Sequence, residues 1–558
     1  MTAANAFAQQ NVQKIDALLK QYYDYGQFNG SILVAENGKV IYKKGFGMAN
    51  MEWNIPNQPD TKFRIGSITK QFTAALILQL VEEGKIKLDG KITDYLPDYR
   101  KDTGEKVTIH QLLNQTSGIP DYTARPNFTA EISRNPYAIA DFVKKFASDD
   151  LEFEPGSKYR YSNSGYSILG AIIEKVTGKS YETAVSERIF KPLGMTSSGY
   201  DHPTSLIEKR ASGYQKTPDG FENTTYLDMS IPYAAGSLYS TVEDLFKWDQ
   251  SLYEDKILSA DSKKLMFTPG LGNYGYGIRI SDMPIGKTDQ RIKIIGHGGA
   301  INGFSALIAR AVEKRQTVII LDNVNLGRLH GQITHSIISI LNGQPFDAPK
   351  KSITETLYKI AVEKNVVSAV AEYRKLKAEN SPMYDFSEKE LNILGYQLLG
   401  LKRRKDAIEI FKLNVEMFPN SSNPYDTLGE AYLEDGQKEL ALANYKKAVE
   451  LDPKNANALL IVKRLEIQET KVVTSGFEAY VGEYEITPTL VMTITIEGGK
   501  LFAQLPGQGK LAVESVSDTQ FAIPEVKANI SFEKDSTGKV VGLLLSQGTR
   551  TANAKKIK

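Results

Sequence analysis

The feature that most limits how this chain can fold is a repeat of 34 residues: Gly395 and Gly429, Ala407 and Ala441, Phe411 and Tyr445, and Pro419 and Pro453 each differ by that interval. Small and aromatic residues recurring at this period, with proline closing each unit, specify antiparallel helix pairs stacked side by side. One or two such pairs cannot bury their own apolar faces, so a third, degenerate pair is expected over Thr354 to Ser381. The helical pattern begins after a break at Gln344-Pro345-Phe346-Asp347-Ala348-Pro349 and runs to about Glu469. It therefore divides the chain into three expected domains: residues 1–348, the helical repeats 349–472, and 473–558. In the last of these, short alternating runs return about every ten residues. Met492 to Ile496, Leu501 to Leu505, Leu511 to Val516, Asn529 to Phe532 and Val540 to Leu545, with Gly498-Gly499 as a turn, predict a small antiparallel β-barrel.

The first domain reads as α+β. Apolar residues flank Asn37-Gly38, the pair favoured in tight hairpins, which predicts two antiparallel strands at its start. After Ser67 comes a run to Val81 that is apolar on almost every side and stops at Gly84, the pattern of a buried central helix. Strands are expected again at Tyr276 to Ile280, Arg291 to Ile295, Phe304 to Arg310 and Thr317 to Leu321. Strands at both ends with helices between them predict one antiparallel sheet flanked by helices. Trp53 and Trp248 are expected in the core.

Composition narrows the function. Sixty-eight basic residues nearly balance 66 acidic ones, so charge points to neither nucleic acid nor an anionic membrane as partner. The absence of cysteine removes disulfides and thiolate chemistry together. The five histidines are dispersed, and His330 and His335 lack a metal-binding spacing, so neither a metal nor another cofactor is expected. No long apolar run predicts a membrane span. Ala6-Phe7-Ala8 reads like the cleavage end of an export signal, which favours a periplasmic or secreted protein over a cytoplasmic one.

A serine hydroxyl becomes a nucleophile only with a base in contact and donors for the oxyanion that forms. Ser67-Ile68-Thr69-Lys70 offers the first, because a spacing of three at a helix start brings both side chains to one face. The tetrapeptide alone is weak, since Ser531/Lys534 and Ser536/Lys539 share its spacing. Two other motifs support it. Tyr161-Ser162-Asn163 is the one Tyr-x-Asn among 29 tyrosines and lies in a Gly- and Ser-rich loop ahead of a helix. His297-Gly298-Gly299 follows an expected strand, where glycines let a substrate lie along the strand edge.

In this order the three motifs resemble the serine hydrolase family that includes class C β-lactamases, penicillin-binding proteins, D-aminopeptidases, D-alanyl-D-alanine carboxypeptidases and related esterases. The likeness covers roughly Val12 to Asn342 and includes Thr116-Ser117-Gly118-Ile119-Pro120 and Pro192-Leu193-Gly194-Met195. It implies a β-lactamase/transpeptidase-like fold and catalysis by Ser67, Lys70 and Tyr161. Asn163, His297, Gly299 and Ala300 would bind substrate, with the amides of Ser67 and Ala300 as the oxyanion hole. The repeats resemble tetratricopeptide repeats, and the barrel resembles lipocalin-like domains appended to such hydrolases. The implied activity is cleavage of amides or esters through an acyl-enzyme, with D-residue peptides favoured. The alternatives are a broad carboxylesterase of the same fold and an inactive interaction scaffold using the helical repeats; a protein partner or self-association is expected to act through the repeats or the barrel.

His297 stands where β-lactam-hydrolysing relatives carry the lysine of Lys-Thr-Gly. An unperturbed histidine is mostly neutral at pH 7, so its grip on a substrate carboxylate is expected to be weaker. The sequence leaves the base open: an unperturbed lysine is neutral about 0.04% of the time at pH 7, and a tyrosine ionised about 0.1%. Lowering Lys70 to a pKa near 7.5 would take roughly 4 kcal/mol of differential solvation, which a buried helix and a cationic neighbour are expected to supply.

Overall fold

The computed structural model describes residues 3–469, 477–488, 490–526, 528–547 and 550–558. Two units divide it, Met1–Lys351 and Ser352–Lys558. The expected boundary at 472/473 lies outside the described residues.

The first unit is built on one six-stranded antiparallel sheet. Helix α1 (Ala3–Asp24) precedes β1 (Gly30–Glu36) and β2 (Lys39–Phe46). Asn37 and Gly38 both have positive φ, 53° and 74°, as the hairpin pattern requires. The chain then leaves the sheet for α2 (Thr69–Glu82), α3 (Asn163–Thr177) and α4 (Val242–Ser251). It returns through β3 (Arg279–Pro284), β4 (Arg291–Ile301), β5 (Phe304–Ala311) and β6 (Gln316–Asp322), and ends in α5 (His330–Leu341). The strand order is β3-β4-β5-β6-β1-β2, so both ends of the domain's sequence meet in mid-sheet, with Ile32 opposite Ile320 and Leu33 opposite Ile319.

Side chains alternate across the pleat, so the central strands feed two cores. Leu33, Ala35, Ile308, Ile319 and Leu321 face the core shared with α2 and α3. Ile32, Val34, Ala309, Val318 and Ile320 face Leu18 and Leu19 of α1 and Ile333 and Ile337 of α5. Covering on both faces is why β1 and β6 read as continuous apolar runs. Trp248 of α4 is fully buried, its ring 4.7 Å from that of Phe72 and its indole N–H donating to Gln71 Oε1 at 2.9 Å. Trp53 departs from expectation: it is 79% exposed, in a turn outside the sheet.

One strand also starts later than its residues suggest. The run Tyr276 to Ile280 alternates Tyr276, Ile278 and Ile280 with Gly277 and Arg279, but Gly277 has φ +68° and sits where a Cβ would come within 2.4 Å of the Lys70 carbonyl oxygen. The Gly275 to Gly277 stretch is thus a turn pressed on the start of α2, and the strand begins at Arg279.

In the second unit the helices are α6 (Ile353–Glu363), α7 (Val366–Ala378), α8 (Glu388–Gly400), α9 (Arg404–Met417), α10 (Ser422–Glu434), α11 (Lys438–Leu451) and α12 (Ala456–Glu469). The 34-residue period has a packing cause. A Cβ on Gly395 would lie 2.3 Å from the Phe411 ring, and one on Gly429 would lie 3.0 Å from the Tyr445 ring. Each glycine admits the aromatic ring of the following helix.

Beyond them, β7 (Gly482–Thr487), β8 (Leu490–Glu497), β9 (Lys500–Gln504), β10 (Leu511–Ser515), β11 (Gln520–Ile523), β12 (Ala528–Lys534), β13 (Val540–Gln547) and β14 (Arg550–Lys556) form a closed barrel, sealed by β7 against β14. Its interior is filled by side chains. The Tyr480 ring packs on those of Phe521 and Phe532 at 5.1 and 4.8 Å, and Tyr484, Ile494 and Ile530 are fully buried.

Candidate active site

Ser67 lies in a single 3₁₀ turn, Gly66–Ile68, that leads straight into α2. The turn exists because Gly66 adopts φ +50° against β4, where a Cβ would lie 2.8 Å from the amide nitrogen of Ala300. Gly299 has the reciprocal constraint: a Cβ there would lie 2.0 Å from the Ile65 carbonyl oxygen and 3.2 Å from the amide nitrogen of Ser67. Two glycines therefore let the Ser67 turn and the strand meet backbone to backbone. The amides of Ser67 and Ala300 share that wall, the arrangement an oxyanion hole needs.

Lys70 is the second residue of α2, three positions beyond Ser67, and is fully buried. Its Nζ makes three contacts: Ser67 Oγ at 3.0 Å, Asn163 Oδ1 at 2.8 Å and the Ala235 carbonyl oxygen at 2.8 Å. The rings of Tyr161 and Tyr166 pack beside it at 4.9 and 5.6 Å. Burial is the largest influence on its pKa and pushes it down to about 7, against the weaker opposing pull of the Asp121 carboxylate.

Tyr161 approaches from the loop before α3, its hydroxyl donating to Ser67 Oγ at 2.8 Å. Burial raises this phenol above its usual range, so it is neutral at ordinary pH. The loop is fastened to the segment after α2: Gly156 N–H and Arg160 N–H donate to the Thr116 and Gln115 carbonyls, and Ser162 N–H donates to Gln115 Oε1 at 2.7 Å. Thr116, Ser117 and Ile119 are buried, and Gly118 (φ +78°) passes where a Cβ would strike the Phe153 carbonyl oxygen at 2.4 Å.

His297 faces the same groove from β4, but both ring nitrogens are engaged within the protein. Nε2 meets the Tyr274 hydroxyl at 2.8 Å and Nδ1 meets the Gly298 carbonyl oxygen at 2.5 Å. A carbonyl only accepts, so Nδ1 carries the proton and Nε2 accepts from the phenol. Burial, with the nearby Lys70 charge, pushes this imidazole down to about 3 and keeps it neutral. In this arrangement His297 shapes the groove wall and has no free nitrogen to offer a ligand.

Ser67, Lys70, Tyr161, Asn163, His297, Gly299 and Ala300 thus come together around one groove. The other two Ser-x-x-Lys pairs do not. Ser531 and Lys534 lie three apart on β12, hence on opposite faces, and Ser536 and Lys539 flank a turn. Sequence reasoning missed the groove's flanks. On one side of Ser67, Arg279, Asn325 and Arg328 line it, Arg279 also donating to Tyr159 Oη at 3.0 Å. On the other, Tyr122, Phe128, Leu227 and Ile231 form an apolar recess of about 150 Å³. None belongs to a motif, and only their placement reveals them.

The family model described as beta-lactamase matches residues 12–337 of this chain. A TPR repeat model matches 429–460, and a domain of unknown function, DUF3471, matches 468–556. Penicillin-binding protein 4* of Bacillus subtilis is 33% identical over 379 residues, covering 62% of this chain and 82% of the relative. The solved penicillin-binding protein from Bacillus halodurans superposes with a TM-score of 0.51 at 28% identity, covering 58% of this chain and 98% of that one. The D-amino acid amidase from Ochrobactrum anthropi SV3, solved with L-phenylalanine amide, gives a TM-score of 0.51 at 27% identity, covering 61% and 99%.

Proposed function

Because the chain belongs to the β-lactamase family of serine hydrolases, we propose that it cleaves amide or ester bonds through an acyl-enzyme on Ser67, with peptides or amides of D-residues as favoured substrates. The observation that carries this reading is the double contact at Ser67 Oγ, Lys70 Nζ on one side and Tyr161 Oη on the other, beside two backbone amides.

The contacts of Lys70 favour it as the base. Asn163 Oδ1 and the Ala235 carbonyl oxygen are acceptors only, so each consumes one N–H of the amine. When Lys70 is neutral, those two hydrogens are spent and the remaining lone pair points to the Ser67 hydroxyl. A lysine poised near pH 7 is neutral about half the time there, against about 0.04% for an ordinary one. Tyr161, held neutral, donates to Ser67 Oγ and is placed to protonate the leaving group.

As Ser67 Oγ bonds to the carbonyl carbon, its proton passes to Lys70 and the carbonyl oxygen turns to the amides of Ser67 and Ala300. The bond to the leaving group breaks as Tyr161 gives up its proton, and the Lys70 ammonium restores the phenol. Water then repeats the sequence against the acyl-enzyme. Likeness to the D-amino acid amidase supports amides as substrates. The apolar recess suits an apolar side chain on the acyl part, and Arg279 and Arg328 suit an anionic group on the other side. With His297 locked and neutral, efficient β-lactam hydrolysis is not expected.

A periplasmic or secreted location is part of this reading; among the described residues no helix is long and apolar enough to cross a membrane. The test is turnover of D-aminoacyl p-nitroanilides, p-nitrophenyl esters and a chromogenic cephalosporin by wild type and Ser67→Ala. Activity on the first two classes that vanishes in Ser67→Ala is expected. Turnover surviving in that variant would overturn the reading.

A further inference from the structure

The orientation of one amide decides whether the lone pair of Lys70 is available, and a carboxylate outside the three motifs fixes it. Asp121 directly follows the Thr116–Pro120 segment, buried as far as Ile119, and sits against the first residue of α3. Its Oδ1 accepts from the Asn163 N–H at 3.2 Å and from Asn163 Nδ2 at 3.3 Å, and its Oδ2 from the same Nδ2 at 3.2 Å. Thr123 adds its N–H to Oδ1 at 3.3 Å and its hydroxyl to Oδ2 at 2.6 Å. The segment is tied to α3 on both sides of Asp121: the Tyr122 N–H donates to Ser164 Oγ, which donates to the Pro120 carbonyl oxygen.

A carboxylate can only accept here, so the amino group of Asn163 must face Asp121 and its carbonyl oxygen must face Lys70. The reverse orientation would set Oδ1 against the carboxylate and turn Nδ2 toward Lys70. There Nδ2 would donate into the lone pair that Ser67 needs. We propose that Asp121 is the positioning residue of the active site, holding Asn163 in the one orientation that leaves Lys70 free to take the Ser67 proton. This rests on the reading of Lys70 as base. Asp121 touches none of the reacting atoms.

The groups around Lys70 are few. The Tyr161 and Tyr166 rings flank it, His297 stands on β4 as a neutral ring, and Asp121 is the carboxylate whose field favours the ammonium. Removing that charge therefore has a signature separate from its effect on the rate: the acidic limb of the pH profile moves to lower pH.

The experiment measures kcat, KM and the pH dependence of kcat/KM for Asp121→Asn, Asn163→Ala and the double variant, with melting temperatures, beside Ser67→Ala. In Asp121→Asn, one oxygen becomes a second donor facing Asn163 Nδ2, so the amide is freed to turn. The expected result is a kcat lowered about tenfold to a hundredfold with KM nearly unchanged and the acidic limb shifted down in pH. On the Asn163→Ala background the added loss should be less than threefold, because the effect passes through Asn163. An Asp121→Asn enzyme with wild-type kcat and an unmoved limb overturns the proposal, as does an equal loss on both backgrounds. If Asp121→Asn does not fold, Asp121→Glu keeps the charge while displacing its oxygens; wild-type kcat there also overturns it. Full activity in Ser67→Ala would instead overturn the reading of Ser67 as nucleophile.

Discussion

The adjoining glycines of β4 give an internally controlled test of the proposed oxyanion wall. In Gly299→Ala the new methyl carbon would lie 2.0 Å from the Ile65 carbonyl oxygen, where ordinary contact begins at 3.4 Å. Both partners are backbone, so no side chain can swing aside. The turn carrying Ser67 and the strand carrying Ala300 must part by about 1 Å, a misplacement that costs on the order of 10²-fold in rate. Loss of one oxyanion donor gives a similar figure, about 10² to 10³ in kcat or about 2.7–4 kcal/mol. Gly298→Ala is the control. Its Cβ would meet nothing nearer than the Ala306 carbonyl oxygen at 3.7 Å. The assay is steady-state kcat and KM on one p-nitrophenyl ester, with thermal melting of each variant. Gly299→Ala should lose about 10²-fold in kcat while Gly298→Ala stays within about threefold of wild type. Equal losses in both, or a fully active Gly299→Ala, would refute the placement of the two amides.

Other consequences follow from the same contacts. With Lys70 titrating at about 7 and active only when neutral, kcat/KM should rise with pH through 7 and fall about tenfold per unit well below it. Lys70→Met should abolish turnover yet gain stability relative to wild type as pH falls. Between the unfolded pKa of about 10.4 and the folded value of about 7 only the unfolded chain holds the proton, so wild-type stability declines over that window by up to about 5 kcal/mol. Urea unfolding of both proteins at pH 7 and 10 measures this, with the lost bonds to Asn163 and Ala235 as a constant offset. Tyr161→Phe keeps the ring against Tyr274 and His297 but removes the donor, so kcat should fall about 10²- to 10⁴-fold with an unchanged melting temperature. In the repeats, Gly395→Ala should destabilise by about 1–3 kcal/mol against the Phe411 ring, and Gly429→Ala by less, measured by urea unfolding.

What was legible in the sequence, and what was not, follows from how each feature is encoded. Ser67 and Lys70 share a helix face, and Tyr161 and His297 each head a distinctive triplet, so local pattern marked all of them. The hairpin at Asn37-Gly38 and the 34-residue period were equally local, each carried by residues that only one geometry accommodates. Asp121 was one residue beyond the Thr116–Pro120 landmark, yet a single carboxylate after a turn carries no signal until its partner across 42 positions is placed. Tyr274, which takes the one nitrogen His297 could have offered a ligand, was invisible for the same reason. In the barrel, β7, β11 and β14 escaped notice because each offers, among the described residues, only one or two buried side chains, too few to set a pattern. On β7 only Tyr484 is buried, between Glu483 and Glu485, and on β11 Phe521 and Ile523 alternate with Gln520 and Ala522. Trp53 reverses the expectation from hydrophobicity, since it occupies a turn beside the short Met48–Asn50 strand with no core beneath it.

The central claim is that Ser67 becomes covalently acylated. Intact-mass measurement after rapid acid quench of the enzyme with an activated ester, followed by peptide mapping, tests it directly. One acyl group on the peptide containing Ser67, absent in Ser67→Ala and persisting longer in Tyr161→Phe, is the expected result. An adduct mapping to any other residue, or rapid turnover with no adduct at the shortest quench times and undiminished in Ser67→Ala, would contradict it.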